Sequence, residues 1–359
     1  MKNIIYSANA EDKLRGMDRL LKLMKFDKII NSEEKVLIKP NMCAPLKTSS
    51  GGITKPLLVV HLAERIKELG GIPTIAESAI GVGLTEKAFI LSGLKEMCKI
   101  KNIRLVNIEE YPFTRIKGFE VSSIVKEVDK FINFPVMKTH KIGLLIASLS
   151  LKNLMGLFSS RQKTRLHING IEKSIGDINE IITPDLNIMD ATICMEGQAP
   201  TRGDKREVGM LFASKDRVSL DLFCCRFMGI PIPEYIKIIL RNDKPLYNIE
   251  GDEIPKIKPF KQAKSDIIHK YFDKQKGKVL SLPIFRQLWI KFFQFISGGT
   301  GATAVFPEVN KKLCKQCGMC ASMCPKKAIT LKPFPVIDKT KCARCFGCAE
   351  ICPSNALSD

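Results

Sequence analysis

The chain has 359 residues, 45% of them apolar, and a formal net charge of +20. The apolar share is that of a folded protein with a sizeable core, which excludes disorder, and the length allows two or three domains. The opening MKNIIYSANAEDKLRG holds no apolar leader core, and no uninterrupted apolar run approaches the roughly 20 residues of a membrane-spanning helix, so a cytoplasmic protein without a transmembrane segment is expected. A reducing cytosol keeps thiols free, so thirteen cysteines point to metal ligation rather than disulfides. The excess of lysine would steer an acidic protein partner or a small anionic substrate toward the chain. Nucleic acid is not expected, because the lysines are dispersed and no nucleic-acid motif accompanies them.

To about residue 240, short apolar runs alternate with helix-period segments, the pattern of a mostly parallel sheet flanked by helices in an α/β domain. Helices are predicted from Asp18 to Ile30, from about Thr54 to Leu69 and from Val218 to Met228. In the second, Thr54 is the expected N-cap, Pro56 sits in the first turn and Gly70-Gly71 ends the helix. Strands are predicted over Val36–Ile38, Ile72–Ala76, Ile103–Ile108, Phe131–Phe134, Asn187–Met189 and Val208–Ala213. Polar residues follow them: Lys39-Pro40-Asn41, Glu77, Pro135 to His140, Asp190 and Lys215-Asp216. All fall at carboxyl ends of strands, the side on which open α/β sheets bind ligands. Gly81-Val82-Gly83 before Thr85 reads as an ordinary loop, since it lacks the third glycine of a dinucleotide fingerprint.

Residues 241–306 read as a basic connector. Lys256, Lys258, Lys261, Lys264, Lys270, Lys274, Lys276 and Lys278 stud its first part. Phe285, Leu288, Trp289, Phe292 and Ile296 then recur at helical spacing, which predicts an amphipathic helix.

Eight cysteines lie within the last 46 residues. Cys314, Cys317, Cys320 and Cys324 form C-x2-C-x2-C-x3-C-P, and Cys342, Cys345, Cys348 and Cys352 repeat it 28 residues later, each run closing on a proline, Pro325 or Pro353. Zinc would use two CxxC pairs or cysteine with histidine, leaving the third cysteine and the C-P step unexplained. Residues 307–359 closely resemble the bacterial two-cluster ferredoxin domain, a small α+β fold that carries two [4Fe-4S] clusters and transfers electrons. In such domains the fourth cysteine ligates the other cube. The resemblance therefore implies one set of Cys314, Cys317 and Cys320 with Cys352, and another of Cys342, Cys345 and Cys348 with Cys324. The other cysteines, Cys43, Cys98, Cys194, Cys224 and Cys225, have no ligand spacing and are expected to be buried small apolar side chains.

Phe134 to His140, Leu151-Lys152-Asn153-Leu154-Met155-Gly156, His167, Asp177, Asp190 and Asp221, with Lys39-Pro40-Asn41, resemble the iron-sulfur-centre proteins of the domain of unknown function 362 family. The resemblance covers about residues 1–230 and implies an α/β domain joined to a ferredoxin module, without implying a reaction. Glu196-Gly197-Gln198-Ala199-Pro200 departs from the family by an insertion-like Gln-Ala. On physical grounds Lys39, Lys138, Lys152, Asn153, His140 and His167 are candidate catalytic residues. Gathered around one crevice, the lysines would bind a carboxylate or phosphate, and a histidine would transfer protons. Lys138 and His140 share a side of an extended segment, and Lys152 with Asn153 fall on a helix expected to begin near Ile142. Two functions fit these residues: a ferredoxin-linked oxidoreductase of a small anionic substrate, or a non-catalytic electron carrier or assembly component whose first domain docks a redox partner. A sensor whose clusters report oxygen is a third.

Overall fold

Val36, Leu37 and Ile38 are all fully buried, as expected of a parallel strand covered on both faces, and they form the middle strand of the parallel part of the sheet. The computed structural model describes residues 3–80, 83–140, 145–168, 170–241, 243, 245–263, 306–322, 324, 326–342, 347–352, 354 and 356–358, without the side chains of residues 164, 167, 168, 350, 351 and 358. Two compact units divide the chain, Met1–Ala263 and Lys264–Asp359.

In the first unit, β1 (Asn3–Asn9) leads into α1 (Lys13–Leu23), β2 (Lys35–Pro40), α2 (Pro56–Glu68), β3 (Ile72–Glu77), α3 (Leu84–Leu91), α4 (Leu94–Ile100) and β4 (Arg104–Asn107). A hairpin of β5 (Phe113–Ile116) and β6 (Phe119–Ser122) precedes β7 (Lys130–Phe134), β8 (Val136–Thr139) and β9 (Ala147–Ser148). The short α5 (Ser150–Asn153), then α6 (Ser160–Ile168) and α7 (Ile171–Asn179), lead to the long antiparallel pair β10 (Leu186–Glu196) and β11 (Asp204–Ser214). The unit continues with α8 (Arg217–Met228), α9 (Glu234–Leu240) and β12 (Tyr247–Gly251). The main sheet runs β12-β1-β11-β10-β7-β2-β3-β4, with β8 and β9 attached through β10. From β10 to β4 all pairings are parallel.

The order of these strands matters for function. The chain steps outward from β2 to β3 and β4, then returns to lay β7 on the opposite side of β2. That reversal places a topological switch point between the carboxyl ends of β2 and β7, where open α/β sheets form a crevice.

Several expectations are corrected. The first helix starts at Lys13, because Asp12 caps it by accepting from the Arg15 N–H at 3.2 Å, and Lys25 at φ 54° breaks the helix well before Ile30. Lys55, not Thr54, occupies the N-cap of α2; the Thr54 hydroxyl donates to the Phe134 carbonyl (2.7 Å) and accepts from the Asn41 N–H (2.8 Å). Asn153 and Lys152 lie on α5, which begins at Ser150, while residues 141–144 lie outside the described residues. The basic connector does not start at 241. β12 adds to the free edge of β1 through main-chain pairing, which needs no apolar periodicity, and buried Phe260 packs into the core beneath the Arg206 guanidinium. The predicted amphipathic helix over residues 285–296 lies outside the described residues. Among those described, no helix is long and apolar enough to cross a membrane.

In the second unit β13 (Glu308–Val309) pairs antiparallel with β16 (Leu357–Ser358), and β14 (Ile329–Lys332) with β15 (Phe334–Ile337). Two short helical turns, α10 (Met319–Ser322) and α11 (Gly347–Ile351), follow the cysteine loops. The pairing of first strand with last and the repeated loop-helix order give this small domain the pseudo-symmetry that the 28-residue repeat implies. The fold is thus a large, mostly parallel α/β sheet with flanking helices, plus a ferredoxin-type domain.

Asp221 on α8 ties the first unit together where α5 begins. The N–H groups of Ser150 and Leu151 donate to its carboxylate at 2.8 and 3.0 Å. Burial nevertheless raises its pKa to about 7. Between its unfolded value and about 7 the folded chain holds the proton more tightly than the unfolded chain, so this stabilisation is complete at low pH and is lost as pH rises through about 7. Urea unfolding of the anaerobic protein from pH 5 to 8 is expected to show a downward component in the wild type that Asp221→Asn lacks; equal slopes would refute it.

Candidate functional site

The polar residues that end the parallel strands are buried, not solvated. Lys39 is fully buried at the end of β2, with Glu77 of β3, Asn133 of β7 and Lys138 of β8 almost equally enclosed. The Lys39 ammonium donates to the Glu77 carboxylate, to the Pro40 carbonyl (3.0 Å) and to the Asn153 side-chain oxygen (3.5 Å). Burial pushes the Lys39 pKa down, opposed by the adjacent Glu77. Glu77 also accepts from the Met42 N–H at 3.2 Å.

Asn153 joins this pair to the rest of the site. Its oxygen accepts from the Asn41 amide (2.8 Å) and its own amide donates to Asn133 (2.8 Å), which in turn donates to Asn187 (2.9 Å). The Asn41 oxygen accepts from Lys138 at 2.7 Å. Lys138 donates further to the Gly52 carbonyl (2.6 Å) and to the Cys43 sulfur (3.3 Å). Lys39, Lys138 and Asn153 are therefore brought into one network at the switch point, with Asn41 between them.

Gly156 explains the close of the K-N-L-M-G run. A Cβ there would stand 2.5 Å from both the Lys39 Nζ and a Glu77 carboxylate oxygen. Only a residue without a side chain lets this turn lie directly on the buried ion pair.

The other candidates are placed differently. His140 is buried just after β8, its N–H donating to the Ile146 carbonyl (2.7 Å), and Lys152 is half-buried on α5. His167 falls on α6, and its side chain lies outside the described residues. Of the remaining histidines, His61 pairs with Asp18 at 2.7 Å, while His269 lies outside the described residues.

Sequence reading passed over three participants. Cys43, grouped there with the inert buried cysteines, faces the Lys138 ammonium; Cys98, Cys194, Cys224 and Cys225 are buried, and burial pushes each of their thiols up. Asn133 looks like an ordinary member of an apolar strand. Lys163 on α6 is buried, donates to the Ser78 hydroxyl and to the Ser78 (3.1 Å) and Ala79 (3.0 Å) carbonyls, and has its pKa lowered by burial. A helix-period lysine is ordinarily solvated, so no pattern flagged it. Asp190 is also buried, its carboxylate accepting from the Lys55 and Thr192 N–H groups at 2.9 Å each.

In the second unit, Cys320, Cys348 and Cys352 belong to one small core, against which Cys314 and Cys324 pack. Burial, together with the neighbouring Cys352, Cys317 and Cys314, pushes the Cys320 thiol up to about 11. Four thiols crowded so closely ionise together only around positive charge, which an iron-sulfur core supplies. The three loop cysteines and the distant Cys352 thus fit a cube. The N–H groups of Gln316, Ala328 and Ala356 donate to the sulfurs of Cys314 (3.4 Å), Cys324 (3.3 Å) and Cys352 (3.3 Å), hydrogen bonds of the kind that tune cluster potentials. Among the described residues no three ligands converge on one ion-sized point. A cube does not require that, since each thiolate holds a different iron. Cys345, Pro325 and Pro353 lie outside the described residues.

Gly156→Ala is expected to cost about 1–3 kcal/mol in urea unfolding of the anaerobic protein, as overpacking of a closed site does. An unchanged midpoint would show that Lys39 and Glu77 move aside freely.

Comparison with known proteins accords with these two units. The profile of the family described as Domain of unknown function (DUF362) matches residues 36–226, and that of a 4Fe-4S dicluster domain matches residues 313–356. A thylakoid-associated protein of Synechocystis sp. is 29% identical over 201 residues, which cover 52% of this chain and 61% of that protein. The chain therefore spans less than two thirds of the length of that relative. No solved structure matches. The first match covers just over half of the chain and the second contains all eight clustered cysteines, so the chain belongs to the DUF362 family and carries a 4Fe-4S dicluster domain.

Proposed function

We propose that this protein is a ferredoxin-linked oxidoreductase that reduces a small anionic substrate at the carboxyl edge of its α/β sheet. One observation carries the reading: Lys39, Lys138, Asn41 and Asn153 form a single hydrogen-bonded network at the switch point between β2 and β7. Two ammonium groups there favour a carboxylate or phosphate, and the Asn41 and Asn153 amides orient it. Lys138 is the group to engage the substrate, because its third donor is spent on the weak acceptor Cys43 Sγ and is readily redirected. His140, two residues further along, is the proton donor in this scheme, with Lys152 and His167 as further cationic groups.

Cys314, Cys317, Cys320 and Cys352 hold one [4Fe-4S] cluster, and Cys342, Cys345, Cys348 and Cys324 the other. These clusters supply single electrons. The protein acts in the cytoplasm or at a membrane surface, as the name of the thylakoid-associated relative suggests.

A second reading is favoured by the same hydrogen bonds. Lys39 and Lys138 each find three acceptors inside the chain, so both can serve as framework. The protein would then be a non-catalytic electron carrier or assembly component whose first unit docks a redox partner.

The two readings differ in a thermal-shift screen of anionic metabolites on the anaerobic holo-protein, since a ligand of the native state raises its apparent stability. Hits that reoxidise the reduced clusters, and that Lys138→Ala or His140→Ala abolish at unchanged iron content, support catalysis. Full turnover in both variants would eliminate the active site. For the clusters, about eight irons per chain are expected in a brown protein that dithionite bleaches. Cys352→Ala should drop to about four irons, having lost the cube of the first cysteine loop. Eight irons in that variant would overturn the crossed ligation.

A further inference from the structure

We propose that loop 311–317, together with the neighbouring turn of the β14–β15 hairpin, is a docking surface for an acidic one-electron carrier protein, and that electrons enter through Cys317. The proposal rests on the cluster-binding reading above and adds the entry point and the charge of the partner.

Cys317 is the one exposed cysteine among the described residues. Gln316 (φ 53°) and Gly318 (φ 75°) both take left-handed backbone, which throws the Cys317 corner outward. A carrier seated there meets a cluster ligand at the surface.

The surroundings have the make-up of a transient interface, an apolar centre within a charged rim. Leu313 and Leu331 remain 46% and 42% exposed. Leu331 stands against the loop, its Cδ1 lying 3.3 Å from where a Cβ on Gly318 would be. Lys311 lies over the Phe334 ring, 6.0 Å from its centroid, and Phe334 pairs with Lys332 across the hairpin, so lysines flank the apolar centre on both sides.

The charge is also uncompensated. Lys312, Lys315 and Lys332 are exposed, and none has a carboxylate partner among the described residues, whereas Lys341 in the second cysteine loop is answered by Asp338 at 3.3 Å. Carboxylates on a partner would complete these contacts and speed encounter. A small, salt-sensitive interface suits a carrier that must leave after each electron. One electron leaves the carrier, which is oxidised by one unit, and reduces the cluster ligated through Cys317 by one unit; no bond forms or breaks and no proton moves.

An acidic flavodoxin serves as probe, with the full-length anaerobic holo-protein. Binding of its oxidised form is measured by calorimetry, and cluster reduction by its reduced form by stopped flow. At low salt, Lys312→Glu with Lys315→Glu is expected to weaken binding and slow reduction by about tenfold, and added salt should erase the difference. Lys22→Glu with Lys28→Glu, the same charge change on exposed residues of the first unit, should leave both unchanged. Photoreduction by a free deazaflavin should be equal in all three proteins. Should the glutamates impair folding, Lys315→Gln with Lys332→Gln should give a smaller loss in the same direction.

Equal flavodoxin affinity for wild type and the loop variant overturns the proposal, and so does an equal loss in the Lys22 and Lys28 variant. It also fails if the loop lysines govern sedimentation with phosphatidylglycerol vesicles but not flavodoxin binding, which would mark an anionic lipid surface instead. A protein without iron that still binds flavodoxin through these lysines would sink the electron-transfer reading and leave the docking surface standing.

Discussion

The first unit is organised around the buried ion pair of Lys39 and Glu77, which sits on the ends of two neighbouring parallel strands under the turn at Gly156. Two charges this enclosed are stable only while paired, and removal of either typically costs about 3–5 kcal/mol because the other is left without compensation. The pair therefore holds the carboxyl ends of β2 and β3 in register with the segment that carries Asn153. Its remaining hydrogen bonds lead outward through Asn153 to Asn41 and Lys138. Asn153 is thus positioned directly by this pair, Asn41 and Asn133 through Asn153, and Lys138 through Asn41 in turn.

Asp221 secures the same region from the opposite side. By accepting from the first two N–H groups of α5, it pins the start of that helix. It thereby fixes where Asn153, three residues further on, can stand. The crevice is consequently held between two buried carboxylates on different layers of the fold, Glu77 on the sheet and Asp221 on a covering helix.

Much of this was readable in the residues. The strands over 36–38, 72–76 and 131–134 were marked by apolar runs that need burial on both faces, and Lys39 and Glu77 stood out because they break those runs at carboxyl ends. The roles of Lys163, Cys43 and Asn133 were not readable, because each takes its meaning from partners distant in the chain: Ser78, Lys138 and Asn153. The edge strand β12 was hidden for another reason. Main-chain pairing holds it to β1, so its side chains need show no periodicity, and its exposed residues resemble a linker.

The sequence by itself determined the chemistry of the tail, because three cysteines at two-residue spacing and a fourth before proline can wrap few other groups. It also determined that the first unit holds a covered, mostly parallel sheet, because burial on both faces leaves its mark in the central strands such as β2 and β7. Only the tertiary structure decided which strands lie side by side. Local pattern records how deeply a residue is buried and not what it is buried against, so the placement of β7 beside β2 is invisible until the chain is folded. That placement creates the crevice and joins Lys39, Asn133, Lys138 and Asn153 into one site.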